Sequence, residues 1–331
     1  MTGYLDAGVL ELAPDRRASM HLVVHERTRV ADGVVLLRLA HPDGLPLPAW
    51  QPGAHLEFVL PSGLIRHYSL CGDPRDPLSY TVAVLRVADG DGGSREIHDT
   101  DLEDLLLEVR GPRNNFALEA ATEYLFIAGG IGITPISAMV RELAGSGLPW
   151  RLIYGGRSRS SMAFLRELGE LGSGAVQIIP QDEQGLPDLA GELGAAAAGT
   201  AVYACGPPAM LEVVTELCAR RPADLTLRLE RFTADPSAAV TGGAAFEVEL
   251  RRTGIVLPVP ADRSLLDVVC DVIRTQPYSC AEGICGTCET DVLDGEPEHH
   301  DDVLSDEERA SNKTMMLCVS RSKSARLVLD L

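Results

Sequence analysis

The sequence contains no run of about 20 apolar residues, the length a membrane-spanning helix needs. Residues Met1 to Met20 lack the basic start and apolar middle of a secretory leader. No membrane association is expected, and the expected location is the cytoplasm. Positive charge is scarce: 29 Lys and Arg stand against 48 Asp and Glu, for a net charge of −19. Such a chain is not expected to bind nucleic acid or an anionic membrane; its acidity serves solubility or steering toward a basic protein patch. Internal repeats are absent, and so is a disulfide framework. Of the eight cysteines, Cys71, Cys205, Cys218 and Cys270 are scattered without pattern, as free thiols of a reducing compartment are.

The other four cysteines do form a pattern. Cys280, Cys285 and Cys288 stand at C-x4-C-x2-C spacing, and Cys318 follows at a distance. This is the plant-type spacing for a 2Fe-2S cluster, in which soft thiolate donors complete the tetrahedra of two irons. Gly283 and Gly286 fall between the ligands, where the backbone must wrap tightly and aim N–H groups at sulfur. A structural zinc site is the alternative, but such sites usually pair two C-x2-C knuckles and only Cys285/Cys288 forms one. A Rieske centre requires histidines in place of two cysteines, and no Cys-x-His pair occurs. An iron–sulfur module carries single electrons, so the remainder of the chain is expected to contain their source.

From Met20 to about Leu118 the chain reads as short strands. His21–Val24, Val34–Leu39, His55–Leu60, Arg66–Leu70, Tyr80–Leu85 and Leu105–Val109 are separated by turn signals such as Ala31-Asp32-Gly33 and Pro61-Ser62-Gly63, which suggests an all-β barrel. After Glu119, strand-like runs alternate with helical ones, among them Ile136–Leu143, Ala163–Leu168 and Pro208–Ala219; this argues for an α/β domain with a parallel sheet. The small, polar stretch from Phe232 to Ala245 reads as a linker. A hairpin, Phe246–Leu250 with Ile255–Val259, and a helix capped by Ser264 lead into the cysteine loop. His299-His300-Asp301-Asp302 reads as solvated surface, since adjacent side chains rarely converge on one ion.

Two stretches offer cofactor chemistry. On a barrel strand, Arg66 can pair with a phosphate, Tyr68 can lie against a flat ring and Ser69 can meet a ring nitrogen. Gly92-Gly93-Ser94 reads as a glycine turn opening a short helix whose free N–H groups suit phosphate. Gly130-x-Gly132-x-x-Pro135, after a strand and before a helix, has the setting of a dinucleotide loop. Pro135 replaces the usual third glycine, and Gly155-Gly156-Arg157-Ser158-Arg159 stands where an acidic residue is usual. Arg157 and Arg159 can hold a 2′-phosphate or remain solvated loop charges. Cys205-Gly206-Pro207 ends a strand at the edge where parallel sheets place ligands, although by burial statistics Cys205 is a small core residue.

Taken in order, Arg66-x-Tyr68-Ser69, Gly92-Gly93-Ser94, Gly129 to Pro135, Cys205-Gly206-Pro207-Pro208 and the C-terminal cysteines resemble the phthalate dioxygenase reductase family, from about residue 20 to the end. The resemblance implies a multidomain β and α/β chain. An antiparallel β-barrel flavin domain is expected at 19–118 and a Rossmann-like α/β nucleotide domain at 119–232. A linker at 233–245 and a β-grasp 2Fe-2S ferredoxin domain at 246–331 complete it. It gives Arg66, His67, Tyr68, Ser69, Gly92, Gly93 and Ser94 to FMN. It gives Gly130, Gly132, Thr134, Pro135, Arg157, Cys205, Gly206 and Pro207 to the nicotinamide coenzyme, with Phe232 beside the flavin. Ser69 and Cys205 become the candidate catalytic residues, and Cys280, Cys285, Cys288 and Cys318 the metal ligands. The implied reaction takes hydride from NADH to FMN and passes single electrons through the cluster to a terminal oxygenase. That partner is a Rieske-type aromatic oxygenase or demethylase, or alternatively a haem-thiolate monooxygenase of the cytochrome P450 type. A non-catalytic iron–sulfur sensor is the competing reading, and the flavin and nicotinamide motifs argue against it.

Overall fold

The computed structural model of the protein describes residues 19–331 apart from 89, 91, 172–174, 222, 233–242, 279 and 302. The expected leader at 1–18 and most of the expected linker at 233–245 lie outside the described residues.

The strand-like runs near the N-terminus form six strands: β1 (Ser19–Ala31), β2 (Val34–Ala40), β3 (Ala54–Val59), β4 (Ile65–Ser69), β5 (Ser79–Leu85) and β6 (Leu106–Asn114). They pair antiparallel in the order β4-β3-β6-β1-β2-β5. A bridge between Leu70 and Val82 joins the two outer strands. Leu22, Leu37, Leu56, Phe58 and Val109 fill the interior. β1 runs seven residues further than the apolar pattern indicates, through the polar His25–Ala31. The ladder to β2, turned by Gly33 at φ +71°, sustains that extension without burial. The short helix α1 (Gly93–Asp99) packs beside β5.

The register of β3 decides which side chains leave the barrel. His55 pairs with Ser69 of β4 and Arg113 of β6, while Glu57 pairs with His67 and lies opposite Arg110. Leu56 and Phe58 point inward to the core. Because alternate residues share a face, His55, Glu57, His67 and Ser69 all stand on the outer face.

The second sheet is parallel, in the order β11-β10-β7-β8-β9. Its strands are β7 (Glu123–Gly129), β8 (Trp150–Gly156), β9 (Val176–Pro180), β10 (Thr200–Cys205) and β11 (Leu225–Glu230). The helices are α2 (Ile133–Ala144), α3 (Leu165–Glu170), α4 (Gln181–Gln184), α5 (Leu189–Ala195) and α6 (Pro208–Ala219). The chain leaves β7 toward β8 and returns on β7's other side as β10. The crevice outside the carboxyl ends of these two strands is therefore the switch point, where open α/β sheets take ligands.

The last unit is a mixed sheet, β13-β12-β18-β14-β16. Its strands are β12 (Phe246–Leu250), β13 (Ile255–Val259), β14 (Glu289–Asp294), β16 (Thr314–Met316) and β18 (Arg326–Leu329), with a minor pair of β15 (Pro297–Glu298) and β17 (Arg321–Ser322). Helix α7 (Leu265–Val272) buries Leu265, Leu266, Val268 and Val269, and Ser264 Oγ caps it by accepting from Asp267 N at 3.0 Å. A second, shorter helix is α8 (Asp306–Ser311). Arg321 is buried, and among the described residues no carboxylate pairs with it. Its guanidinium donates to the carbonyls of Arg263, Ala244 and Pro260 at 3.0–3.1 Å and lies over the Phe246 ring. The expectation of a solvated 299–302 stretch fails for Asp301, which is 2 % exposed. Asp301 accepts from the N–H groups of Val303 and Leu304, and its carbonyl accepts from Arg309, so it is consumed in folding its own turn. Asp302 lies outside the described residues. Among the described residues, no helix is long and apolar enough to cross a membrane.

Candidate functional site

β4 and α1 bring the first group of candidates together. The Arg66 side chain lies against Gly93 so closely that a Cβ there would stand 2.6 Å from its Cγ and Nε. Only glycine lets a guanidinium and the opening N–H groups of α1 face one small space, a donor arrangement that suits a phosphate. Ser94 Oγ accepts from Val87 N at 3.1 Å and holds that turn in place. Tyr68 packs edge-on to Phe58, with ring centroids 5.3 Å apart, and burial holds its phenol well above the ordinary range.

At the other end of β4, Ser69 Oγ donates to Glu230 Oε2 at 3.3 Å. Glu230 closes β11 and pairs in register with Cys205 at the end of β10. Barrel and parallel sheet thus meet at Ser69, Glu230 and Cys205. Burial raises the Glu230 carboxyl to about 8, with the Ser69 hydrogen bond opposing in part, so it holds a proton at neutral pH. Burial pushes the Cys205 thiol well up, with the Glu230 carboxylate adding to this only once it is ionised, and leaves the thiol neutral. The dinucleotide loop closes the same crevice. A Cβ on Gly132 would stand 2.2 Å from the Cys205 carbonyl oxygen, and one on Gly206 would stand 2.9 Å from Gly129 Cα. Thr134 Oγ1 is spent on the Ile131 carbonyl at 2.9 Å, and Pro135 is buried in the first turn of α2. Arg157 is exposed beyond β8. Arg159 is held by Glu183 at 2.8 and 3.2 Å. Phe232, two residues past Glu230, is 42 % exposed.

The cysteine loop sets Cys280 Sγ 3.1 Å from Cys285 Sγ, and Cys288 Sγ 3.3 Å from Cys318 Sγ. Cys285, Cys288 and Cys318 are buried. Gly283 and Gly286 adopt φ +75° and +78°, as the tight wrap requires. Glu282 N and Thr287 N point at Cys280 Sγ and Cys285 Sγ at 3.3 and 3.5 Å. Hydrogen bonding from Cys280 lowers the Cys285 thiol, and that from Cys318 lowers Cys288, while both donors are raised. Four thiols with backbone N–H groups aimed at sulfur are the donor set a 2Fe-2S cluster takes.

The loop rests on the outer face of the barrel. Thr287 Oγ1 donates to Glu57 Oε2 at 2.8 Å and lies 3.2 Å from His67 Nε2. Glu57 Oε1 accepts from Arg110 Nη1 at 2.7 Å. The rings of His55 and His67 meet edge-on at 5.3 Å. Burial first, then the nearby His67 and Arg113 charges, holds His55 near 3, hence neutral. His67 therefore faces the cysteine loop while Arg66 and Tyr68, its neighbours on the strand, face the other way, toward Gly93 and Phe58. Sequence reasoning missed Glu57, His55, Arg110, Thr287 and Glu230. The period-2 alternation of His55-Leu56-Glu57-Phe58 carried a signal for the first two, and the position of Glu230 at a strand's carboxyl end carried another.

Comparison with known proteins gives a consistent result. The model of a 2Fe-2S iron-sulfur cluster binding domain matches residues 248–323, and that of an oxidoreductase NAD-binding domain matches residues 126–216. The phenoxybenzoate dioxygenase subunit beta of Ectopseudomonas oleovorans is 42 % identical over 318 residues, covering 95 % of this chain and 98 % of that protein. The solved structure of a phthalate dioxygenase reductase, described as modular for electron transfer from pyridine nucleotides to [2Fe-2S], superposes with a TM-score of 0.69. It is 37 % identical, over 95 % of this chain and 98 % of that one. An intact type IV self-sufficient cytochrome P450 monooxygenase superposes with a TM-score of 0.86 at 40 % identity; the match covers 95 % of this chain but 41 % of that longer one.

Proposed function

Since the chain belongs to the phthalate dioxygenase reductase family, we propose that it draws electrons from NADH through FMN and a 2Fe-2S cluster to a Rieske-type aromatic oxygenase or demethylase. One observation carries this reading. A single outer face of the barrel bears Ser69, which meets Glu230 beside Cys205, and two positions along the same strand His67, which meets the cysteine loop. Two residues of strand span about 6.6 Å. The flavin, when bound, converts a two-electron hydride into single electrons. The residues do the rest. Arg66, Gly93 and Ser94 anchor its phosphate and Tyr68 flanks its ring. Ser69 and Glu230 bracket the place of hydride arrival and hold a proton there. Gly130, Gly132 and the Cys205-Gly206-Pro207 turn admit the coenzyme, and Cys280, Cys285, Cys288 and Cys318 hold the cluster. Anaerobic titration of the holoprotein with NADH should bleach flavin and cluster bands together. Bleaching of neither, or of the flavin alone, overturns the reading.

A haem-thiolate monooxygenase is the second reading for the partner, favoured by the likeness to the self-sufficient monooxygenase. Reconstitution with one oxygenase of each kind decides between them, the productive pair being the one that couples NADH oxidation to product.

Three predictions belong here. The flavin released by heat should be FMN, because Arg66 against Gly93, with Ser94 beside them, offers room and donors for one terminal phosphate; stoichiometric FAD in the supernatant contradicts this. Arg66→Ala removes a charge-assisted contact of about 1.5–3 kcal/mol, so flavin affinity measured by fluorescence should fall by about 10- to 100-fold. For the coenzyme, kcat/KM should favour NADH over NADPH. Arg159 is already satisfied by Glu183, whose carboxylate would repel a 2′-phosphate. A preference for NADPH that Arg157→Ala or Arg159→Ala abolishes would show the arginines to be its binding site.

A further inference from the structure

Glu57 belongs to none of the cofactor motifs, yet it is a carboxylate 1 % exposed at the contact of two domains. A buried carboxylate is costly unless hydrogen-bonded and paired. Here its Oε1 takes Arg110 Nη1 at 2.7 Å, from its own barrel. Its Oε2 takes Thr287 Oγ1 at 2.8 Å, from a residue 230 positions away, and faces His67 Nε2 at 3.6 Å. Thr287 lies between two cysteines of the loop, and its Oγ1 stands 3.4 Å from Cys285 Sγ. His67 Nδ1 is buried and has no partner among the described residues. His67 Nε2 lies 3.2 Å from the Thr287 hydroxyl, which donates to Glu57. Two donors, one from each domain, converge on this one carboxylate, and His67 stands behind the second of them.

We propose that Glu57 is a positioning residue that fastens the cluster-bearing loop to the barrel through the Thr287 hydroxyl, fixing the gap that electrons cross after hydride has arrived. This rests on the reading of the chain as an oxygenase reductase. Detached from Thr287, Glu57 keeps, among the described residues, only Arg110 as its hydrogen-bonded partner and the loop has lost this anchor, while the Ser69–Glu230 end of the face is untouched.

The test compares wild-type holoprotein with Glu57→Gln, Glu57→Ala, Thr287→Val and Thr287→Ser. In anaerobic stopped flow with NADH, Glu57→Ala and Thr287→Val should leave flavin bleaching within twofold of wild type, and should slow the following cluster bleaching by about 10- to 100-fold. Thr287→Ser restores the hydroxyl and should recover the wild-type rate; Glu57→Gln, which keeps an acceptor of the same shape, should fall between. The readout independent of turnover is amide hydrogen exchange on the oxidised holoprotein. Exchange across 281–288 should quicken by about tenfold in Glu57→Ala and Thr287→Val, with iron and sulfide content unchanged. Cluster bleaching and exchange at wild-type values in Thr287→Val or Glu57→Gln overturn the proposal, even where Glu57→Ala does not fold. If wild-type cluster is not reduced by NADH at all, the functional reading fails instead, and the exchange data still judge the fastening.

Discussion

Cys285→Ser should destroy electron delivery to a protein acceptor while leaving hydride uptake intact. The substitution replaces a soft thiolate by a hydroxyl in a buried position where Cys280 Sγ lies 3.1 Å away, so cluster content measured by iron and sulfide should collapse. Reduction of cytochrome c, or of the oxygenase, should fall below about 1 % of the parent rate, because the cluster is the one-electron outlet of the chain. NADH–ferricyanide activity should stay within about twofold, since the barrel and the parallel sheet bury cores of their own. A variant that lacks its cluster and still serves the protein acceptor at full rate would refute the order NADH, FMN, cluster, partner.

Glu230→Gln should slow flavin reduction by NADH by about 100-fold, the scale on which a positioned proton-carrying group acts. The half-buried carboxyl, raised to about 8, is protonated at neutral pH and loses its proton as pH climbs through that value. The wild-type rate should therefore fall on the alkaline side of about 8, and the glutamine variant should lose that limb. Stability follows the same proton. The folded carboxyl titrates above its ordinary 4.5, so the folded state holds the extra proton between 4.5 and about 8. The contribution is whole below 4.5 and declines toward 8, by at most about 1.4 kcal/mol for each pH unit. Chemical denaturation at pH 6 and pH 9 should show a steeper alkaline loss in wild type than in Glu230→Gln. A variant within threefold of the parent rate, with an unchanged pH profile, would reduce Glu230 to a packing residue.

Much of this was legible in the residues because the signals are local. The C-x4-C-x2-C run, the hairpin Phe246–Leu250/Ile255–Val259 and the α6 span Pro208–Ala219 each depend on spacing within a few turns of chain, and the last three ranges are found unchanged. The family resemblance joined those local pieces in order. What stayed hidden is what distant segments do to one another. Glu230 becomes an acid with a proton at neutral pH only because β10, β11 and β4 close over it. Thr287 reads as a spacer between ligands until the barrel supplies Glu57. Asp301 reads as a solvated acid, and is instead folded into its own turn beside Arg309. No run of neighbours encodes those environments, because burial and pairing across hundreds of residues create them.

The register of β3 and β4 makes misfolding all-or-none. A slip of one residue would exchange the two faces of β4. Arg66 and Tyr68 would turn outward, and Ser69 and His67 would be driven into the apolar interior. The proposed phosphate cradle, the proposed seat of hydride arrival and the berth of the cysteine loop would vanish in one stroke. A misregistered barrel thus has no partial activity, and cannot become a leaky device that spills electrons to oxygen. Such a molecule would be flavin-free and unable to take hydride, and the flavin bands of the purified protein, set against those of the cluster, become a direct assay of correct pairing.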